Sequence, residues 1–112
     1  MAQTRKPVDV EDAFTEIAHA LQGTDGVAVA AGRGFGAGTL QVRGRIFAMI
    51  SGGHLVLKLP SGRVADLIAA GDGLPFDAGK GRPMREWIAL EDRSRDRWLD
   101  LAREARDFLG NR

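Results

Sequence analysis

Apolar residues recur along this chain with two periods, and the switches between them lay out its elements. Val10, Phe14, Ile17 and Leu21 are three or four apart, which places them on one face of a helix over Val10–Gln22. Asp9 stands where an N-cap belongs, and Glu11 and Asp12 occupy the first turn, facing the positive end of the helix dipole. Gly23 and the turn Thr24-Asp25-Gly26 stop the helix. Val27–Ala31 is a short apolar run of weak strand character. Thr39–Arg43 alternates polar and apolar and reads as a half-buried strand, with Gly44 permitting a turn or bulge. Ile46–Ile50 is apolar on both faces and predicts a central, covered strand. Gly52-Gly53 between two such runs marks a two-residue hairpin to Leu55–Leu59. Three antiparallel strands in succession follow from this pattern.

Pro60 has no amide to donate and ends the third strand. Ser61 is a good N-cap for a helix through about Ala70, with Val64, Leu67 and Ile68 as its apolar stripe and Gly71 as its stop. Leu74–Asp77 reads as a short edge strand and Ala78–Pro83 as a loop. Met84–Leu90 reads as a strand with Met84, Ile88 and Leu90 on one face and Trp87 on the other. Glu91–Leu109 closes the chain as one long helix. Trp98, Leu101, Ala102, Ala105, Phe108 and Leu109 form its buried face, and charged residues of alternating sign form its solvated face. The fold class is α+β.

Composition bounds the rest. A chain of 112 residues with 44% apolar and 28% charged residues is long enough for one core. Residues 1–8 read as a flexible N-terminus and 9–110 as a single domain. There is no cysteine, which removes disulfides, thiolate nucleophiles and Cys-ligated zinc. No apolar run approaches the ~20 residues of a membrane span, and Met1–Pro7 is not followed by the apolar stretch of a secretory signal, so a cytoplasmic protein without membrane contact is expected. Net charge is +1, unevenly spread. Residues 27–91 carry eight basic and five acidic groups, net +3, and residues 1–26 carry two basic and five acidic, net −3. A basic middle is compatible with nucleic acid, and a solvated sheet face is the plainer account of it, since charge runs are usually solvated.

The usual chemical signatures are missing or misplaced. Gly32, Gly34 and Ala37 match a relaxed dinucleotide fingerprint, but a strand rather than a helix follows, and no acid stands near Gly52 and Gly53. Gly79-Lys80 hints at a phosphate loop, yet Gly73 lies one residue too far upstream and Gly81 stands where Ser or Thr should bind magnesium. His19 and His54 are too few and too far apart for a metal site. Ser51 and His54 lack a third group to orient them, and Asp72 and Asp77 suit turn and capping roles. No cofactor, metal or catalytic residue is expected, and the chain does not read as an enzyme.

The segments Gly44-Arg45-Ile46-Phe47-Ala48, Leu55-Val56-Leu57-Lys58-Leu59-Pro60, Arg63-Val64-Ala65-Asp66-Leu67 and Arg82-Pro83-Met84-Arg85-Glu86-Trp87 resemble the MmcQ/YjbR-like family. These are small bacterial proteins related in fold to the N-terminal domain of the competence regulator TfoX. The resemblance covers about Val10 to Leu109. It implies a two-layer fold of helix, three strands, helix, two strands and helix, with helices packed on an antiparallel sheet as also in secretion chaperones. It implies no enzyme activity and supplies no catalytic residues.

Three readings follow. One is a DNA-binding or regulatory module that contacts phosphates through Arg33, Arg43, Arg45, Lys58, Arg63, Lys80, Arg82 and Arg85. Another is a protein-interaction module, a homodimer or chaperone-like protein, that uses an exposed apolar or Trp-bearing sheet face. The third is a small-molecule pocket near Phe35, Trp87 and the Gly79–Arg82 loop.

Overall fold

Helix α1 (Val10–Leu21) buries Ala13, Phe14, Ile17, Ala18 and Leu21, the face marked by the helical spacing. The structure is a computed structural model and describes residues 10–24, 26–30, 39–77 and 84–111. Asp9, the N-terminal residues and the Gly32–Gly38 and Ala78–Pro83 segments lie outside that set.

Four strands rather than three precede the second helix: β1 (Val27–Ala30), β2 (Thr39–Val42), β3 (Arg45–Ser51) and β4 (His54–Lys58). The weak strand candidate at Val27 is the added strand: it pairs antiparallel with β2, from Val27 opposite Val42 to Ala30 opposite Thr39. Its ladder supplies what local propensity lacks. Both following turns have two residues with positive φ at each: Arg43 and Gly44 at 55° and 80°, Gly52 and Gly53 at 60° and 80°. These are type I′ signs, whose twist matches that of the flanking strands. Arg43 therefore belongs to a turn, not to the end of a strand.

β3 is fully buried on one face only; on the other, Met49 is half-buried beside the buried Val56. Leu40 pairs with Ala48 while Gln41 pairs with Ile46, so Phe47 is an extra residue in a bulge. Phe47 and Ala48 are both fully buried in the core, whereas Ile46 is 36% exposed. The expectation of a strand buried on both sides fails because all three helices take one side of the sheet.

Helix α2 (Ser61–Ala69) starts one residue earlier than its best capping side chain. Pro60 is the N-cap, its carbonyl accepts the Val64 N–H at 3.0 Å, and Ser61 makes no capping bond. The short strand β5 (Gly73–Pro75) and strand β6 (Trp87–Leu90) complete one six-stranded antiparallel sheet of order β1-β2-β3-β4-β6-β5. Met84 precedes β6 in a turn: its N–H donates to Phe76 O at 2.9 Å and its carbonyl accepts the Trp87 N–H at 3.1 Å.

The expected final helix is divided. Asp92–Arg97 is a 3-10 helix, and α3 runs from Trp98 to Gly110. Ser94 explains the break. Its buried hydroxyl lies 2.8 Å from Glu91 O and 3.1 Å from Asp72 O, and side-chain bonds of this kind compete with regular helix. One hydrophobic core joins Phe14, Ile17 and Leu21 of α1, Val64 and Leu67 of α2, and Trp98, Leu101 and Ala105 of α3 to Leu40, Ala48, Leu57 and Ile88 of the sheet. The described chain is thus an α+β protein with three helices against one sheet face. None of its described helices is long and apolar enough to cross a membrane.

Candidate functional site

Register decides where the basic residues go. The row Leu40, Ala48, Leu57, Ile88, Pro75 crosses the sheet from β2 to β5. Beyond it, toward one end, lie the Arg43-Gly44 turn, Arg45, the Lys58–Trp87 pair and the Leu59 N–H to Glu86 O bond. Helix α2 begins at this end, directly after Pro60. The C-terminus of α3 reaches it too, since a Cβ added at Gly110 would lie 3.6 Å from Val42 Cγ2. Five of the eight expected phosphate contacts are therefore brought to one end of the sheet: Arg43, Arg45, Lys58, Arg63 and Arg85. Arg33, Lys80 and Arg82 lie outside the described residues.

The five are not equivalent. Arg63 donates Nε and Nη2 to the two carboxylate oxygens of Glu104, at 2.9 and 3.1 Å, which joins α2 to α3. That bidentate bond raises the guanidinium above its usual pKa. Lys58 Nζ lies 3.6 Å from Glu86 Oε1 and 5.2 Å from the centroid of the Trp87 ring. Arg43, Arg45 and Arg85 are exposed and have no ion pair among the described residues. Their charge is free to act on a partner.

Two adjoining clefts open at the same end. One, of about 500 Å³, has Ser61, Gly62, Val64, Ala65 and Ile68 of α2 on one side and Pro75, Met84, Arg85 and Trp87 on the other. The second, of about 380 Å³, is lined by Lys58, Ser61, Met84, Arg85, Glu86 and Trp87. They share Ser61, Met84, Arg85 and Trp87, so an apolar compartment passes into a charged one. The Trp87 ring is braced by Lys58 and by Phe76, whose centroid is 6.4 Å away.

The sheet face away from the helices carries Ile46, Met49, Val56, Ala89 and Leu74, as the strand register and alternation require. Ile46 and Leu74 are its exposed large apolar residues, at 36% and 43%.

Ser51 and His54 are paired across the β3–β4 turn, but the imidazole Nδ1 lies 3.1 Å from Gly52 O, so the ring is engaged with backbone. Among the described residues no group of three His, Asp or Glu side chains could hold a metal ion. Asp72 does more than the turn role its place in the sequence suggests. Its side chain is 7% exposed, and it meets Arg97 Nη2 at 2.7 Å and Arg93 Nε at 3.8 Å. Arg93 and Arg97 are thus not merely part of a solvated lattice. Only their separation from Asp72 in sequence concealed the pairing. Of the residues expected near a small-molecule pocket, Trp87 lines the apolar cleft, while Phe35 and the Gly79–Arg82 loop lie outside the described residues; the α2 wall of the cleft was hidden, because a turn and a strand separate it from Trp87.

Comparison of the chain with protein-family models, curated proteins and solved structures finds no match.

Proposed function

We propose that this chain is a non-enzymatic binding module of regulatory type, acting in the cytoplasm, and that its basic sheet end contacts the phosphate backbone of DNA. The observation that carries the reading is the gathering of Arg43, Arg45 and Arg85, exposed and unpaired among the described residues, at one end of the sheet. Arginine binds phosphate oxygens through a planar fork of donors, and an uncompensated guanidinium has no internal partner to give up. The resemblance to MmcQ/YjbR-like proteins and to the TfoX N-terminal domain, as a proposed relationship, fits a non-enzymatic module and does not choose between DNA and protein as its partner.

Titration of a labelled duplex by fluorescence anisotropy tests it. With about three phosphates neutralised, log K should fall against log salt with a slope of roughly −2 to −3. The double charge reversal Arg43→Glu, Arg45→Glu should weaken binding by roughly tenfold or more at low salt. A wild-type protein that leaves the duplex unbound at low salt would sink the proposal.

A second reading has its own support. Ile46 and Leu74 lie exposed on the helix-free sheet face, where a protein partner or a second copy would bury them. Light scattering over a concentration series tests self-association. A mass that stays at the monomer value throughout excludes the homodimer.

A further inference from the structure

The cleft between α2 and the turn leading into β6 is divided by chemistry, with Val64, Ala65, Ile68 and Pro75 at one end and Lys58, Arg85 and Glu86 at the other. We propose that it binds a small amphipathic organic anion, with the apolar body against α2 and a single carboxylate at Arg85. The two compartments, of about 500 and 380 Å³, have the dimensions of small-molecule sites, in which apolar walls supply area and a few polar groups fix orientation.

The sign of the ligand follows from charge. Among the described residues no acidic side chain lines the apolar compartment. In the polar one, Lys58 and Glu86 lie 3.6 Å apart and offset each other. Among the described residues Arg85 is left as the uncompensated charge, exposed and shared by both compartments. One guanidinium matches one carboxylate in a planar, two-bond pair. A cation would meet net repulsion here, and a neutral ligand would leave the guanidinium without a partner.

The site is also held in place before any ligand arrives. Trp87 is fixed by its ladder pairing with Lys58, by the lysine over its ring and by Phe76. Met84 is held by its backbone bonds to Phe76 and Trp87, while its unbranched side chain can adapt to an irregular apolar body. Little ordering cost remains to be met on binding.

Calorimetric titration with decanoate, decanol and decylammonium tests the proposal, because the three share an apolar chain and differ in head-group charge. Decanoate should bind saturably and roughly tenfold more tightly than decanol, with decylammonium weakest, as one charge-assisted contact implies. Arg85→Gln should reduce decanoate to the affinity of decanol. Ala65→Trp, at an exposed helix position on the cleft wall, should abolish binding of all three, and Ala65→Leu should weaken it if the larger side chain disturbs folding. The Arg43→Glu, Arg45→Glu protein should bind decanoate as the wild type does, which separates this site from DNA contact. Equal affinity for decanoate and decanol, an unchanged Arg85→Gln protein, or no saturable heat with decanoate overturns the proposal.

Discussion

Nη2 of Arg97 stands 2.7 Å from Oδ2 of Asp72, a carboxylate whose side chain is only 7% exposed. Arg93 Nε approaches the other oxygen at 3.8 Å. The carboxylate sits just before β5, and both arginines come from the 3-10 helix, so the pair ties the sheet edge to the start of the last helical segment. Both arginines keep much of their surface in water, which lessens what either alone contributes. The desolvated member is Asp72. Arg97→Ala should therefore cost about 1–2 kcal/mol in urea unfolding, while Arg93→Ala should cost well under about 1 kcal/mol. The double variant should cost more than the sum, because only then is a buried carboxylate without a cation. Additive losses in that cycle would show that the two arginines do not share the carboxylate.

Beside this pair lies a buried hydroxyl with no slack. Ser94 is fully buried. Its oxygen accepts the Trp98 Nε1–H at 3.0 Å, and its own proton is directed to Glu91 O or Asp72 O. Ser94→Ala strands the indole N–H in the core, a loss of about 1–3 kcal/mol. Trp98→Phe removes that donor together with a large apolar contact, so it should destabilise by itself. In the double variant, however, the serine deletion should cost about 1 kcal/mol less than in the wild type, because no indole N–H is left unpaired. Equilibrium unfolding of the four proteins gives that coupling directly.

The contrast between these residues and the helices marks what the sequence makes legible. Phe14, Ile17 and Leu21, or Trp98, Leu101 and Ala105, declare a buried face because a helix repeats its environment every three or four residues. Gly52-Gly53 declares its hairpin because few other pairs adopt positive φ twice. Asp72, Ser94 and Arg97 declare nothing, since their partners are set by how β5 meets the 3-10 helix, a tertiary fact with no local period. The same holds for the candidate site. The basic residues were visible one by one, but only the strand register brings Arg43, Arg45 and Arg85 to one end. Lys58 and Arg63 were named with them, and their partners Glu86 and Glu104 were not foreseeable from spacing.

Gly73 occupies a position where the sheet edge has no room for a side chain. A Cβ placed there would meet Ile88 Cδ1 at 2.5 Å, Ile88 Cγ1 at 2.7 Å and Ala89 O at 3.0 Å. The nearest atoms belong to a fully buried isoleucine on the neighbouring strand, which cannot swing aside into water. Gly73→Ala should therefore cost about 1–3 kcal/mol by overpacking, although alanine normally favours a folded chain over glycine. A thermal melt at or above the wild-type midpoint would show that β5 can shift away from β6 without loss.

Arg43 joins stability to the proposed function. Its φ of 55° lies in the left-handed region, where a side chain with a Cβ is strained by roughly 1–2 kcal/mol and which Gly and Asn fill more readily. An arginine kept in that turn costs stability that its own contacts do not return, since it has no ion pair among the described residues. Strain of this kind persists where a side chain is needed for something other than folding. Arg43→Gly should thus stabilise the protein by about 0.5–1 kcal/mol in urea unfolding. The same variant should weaken duplex binding several-fold at low salt and make its salt slope shallower by about one. A variant that gains stability and still binds duplex with the wild-type slope would separate the strained turn from phosphate contact and leave the arginine there without a role in binding.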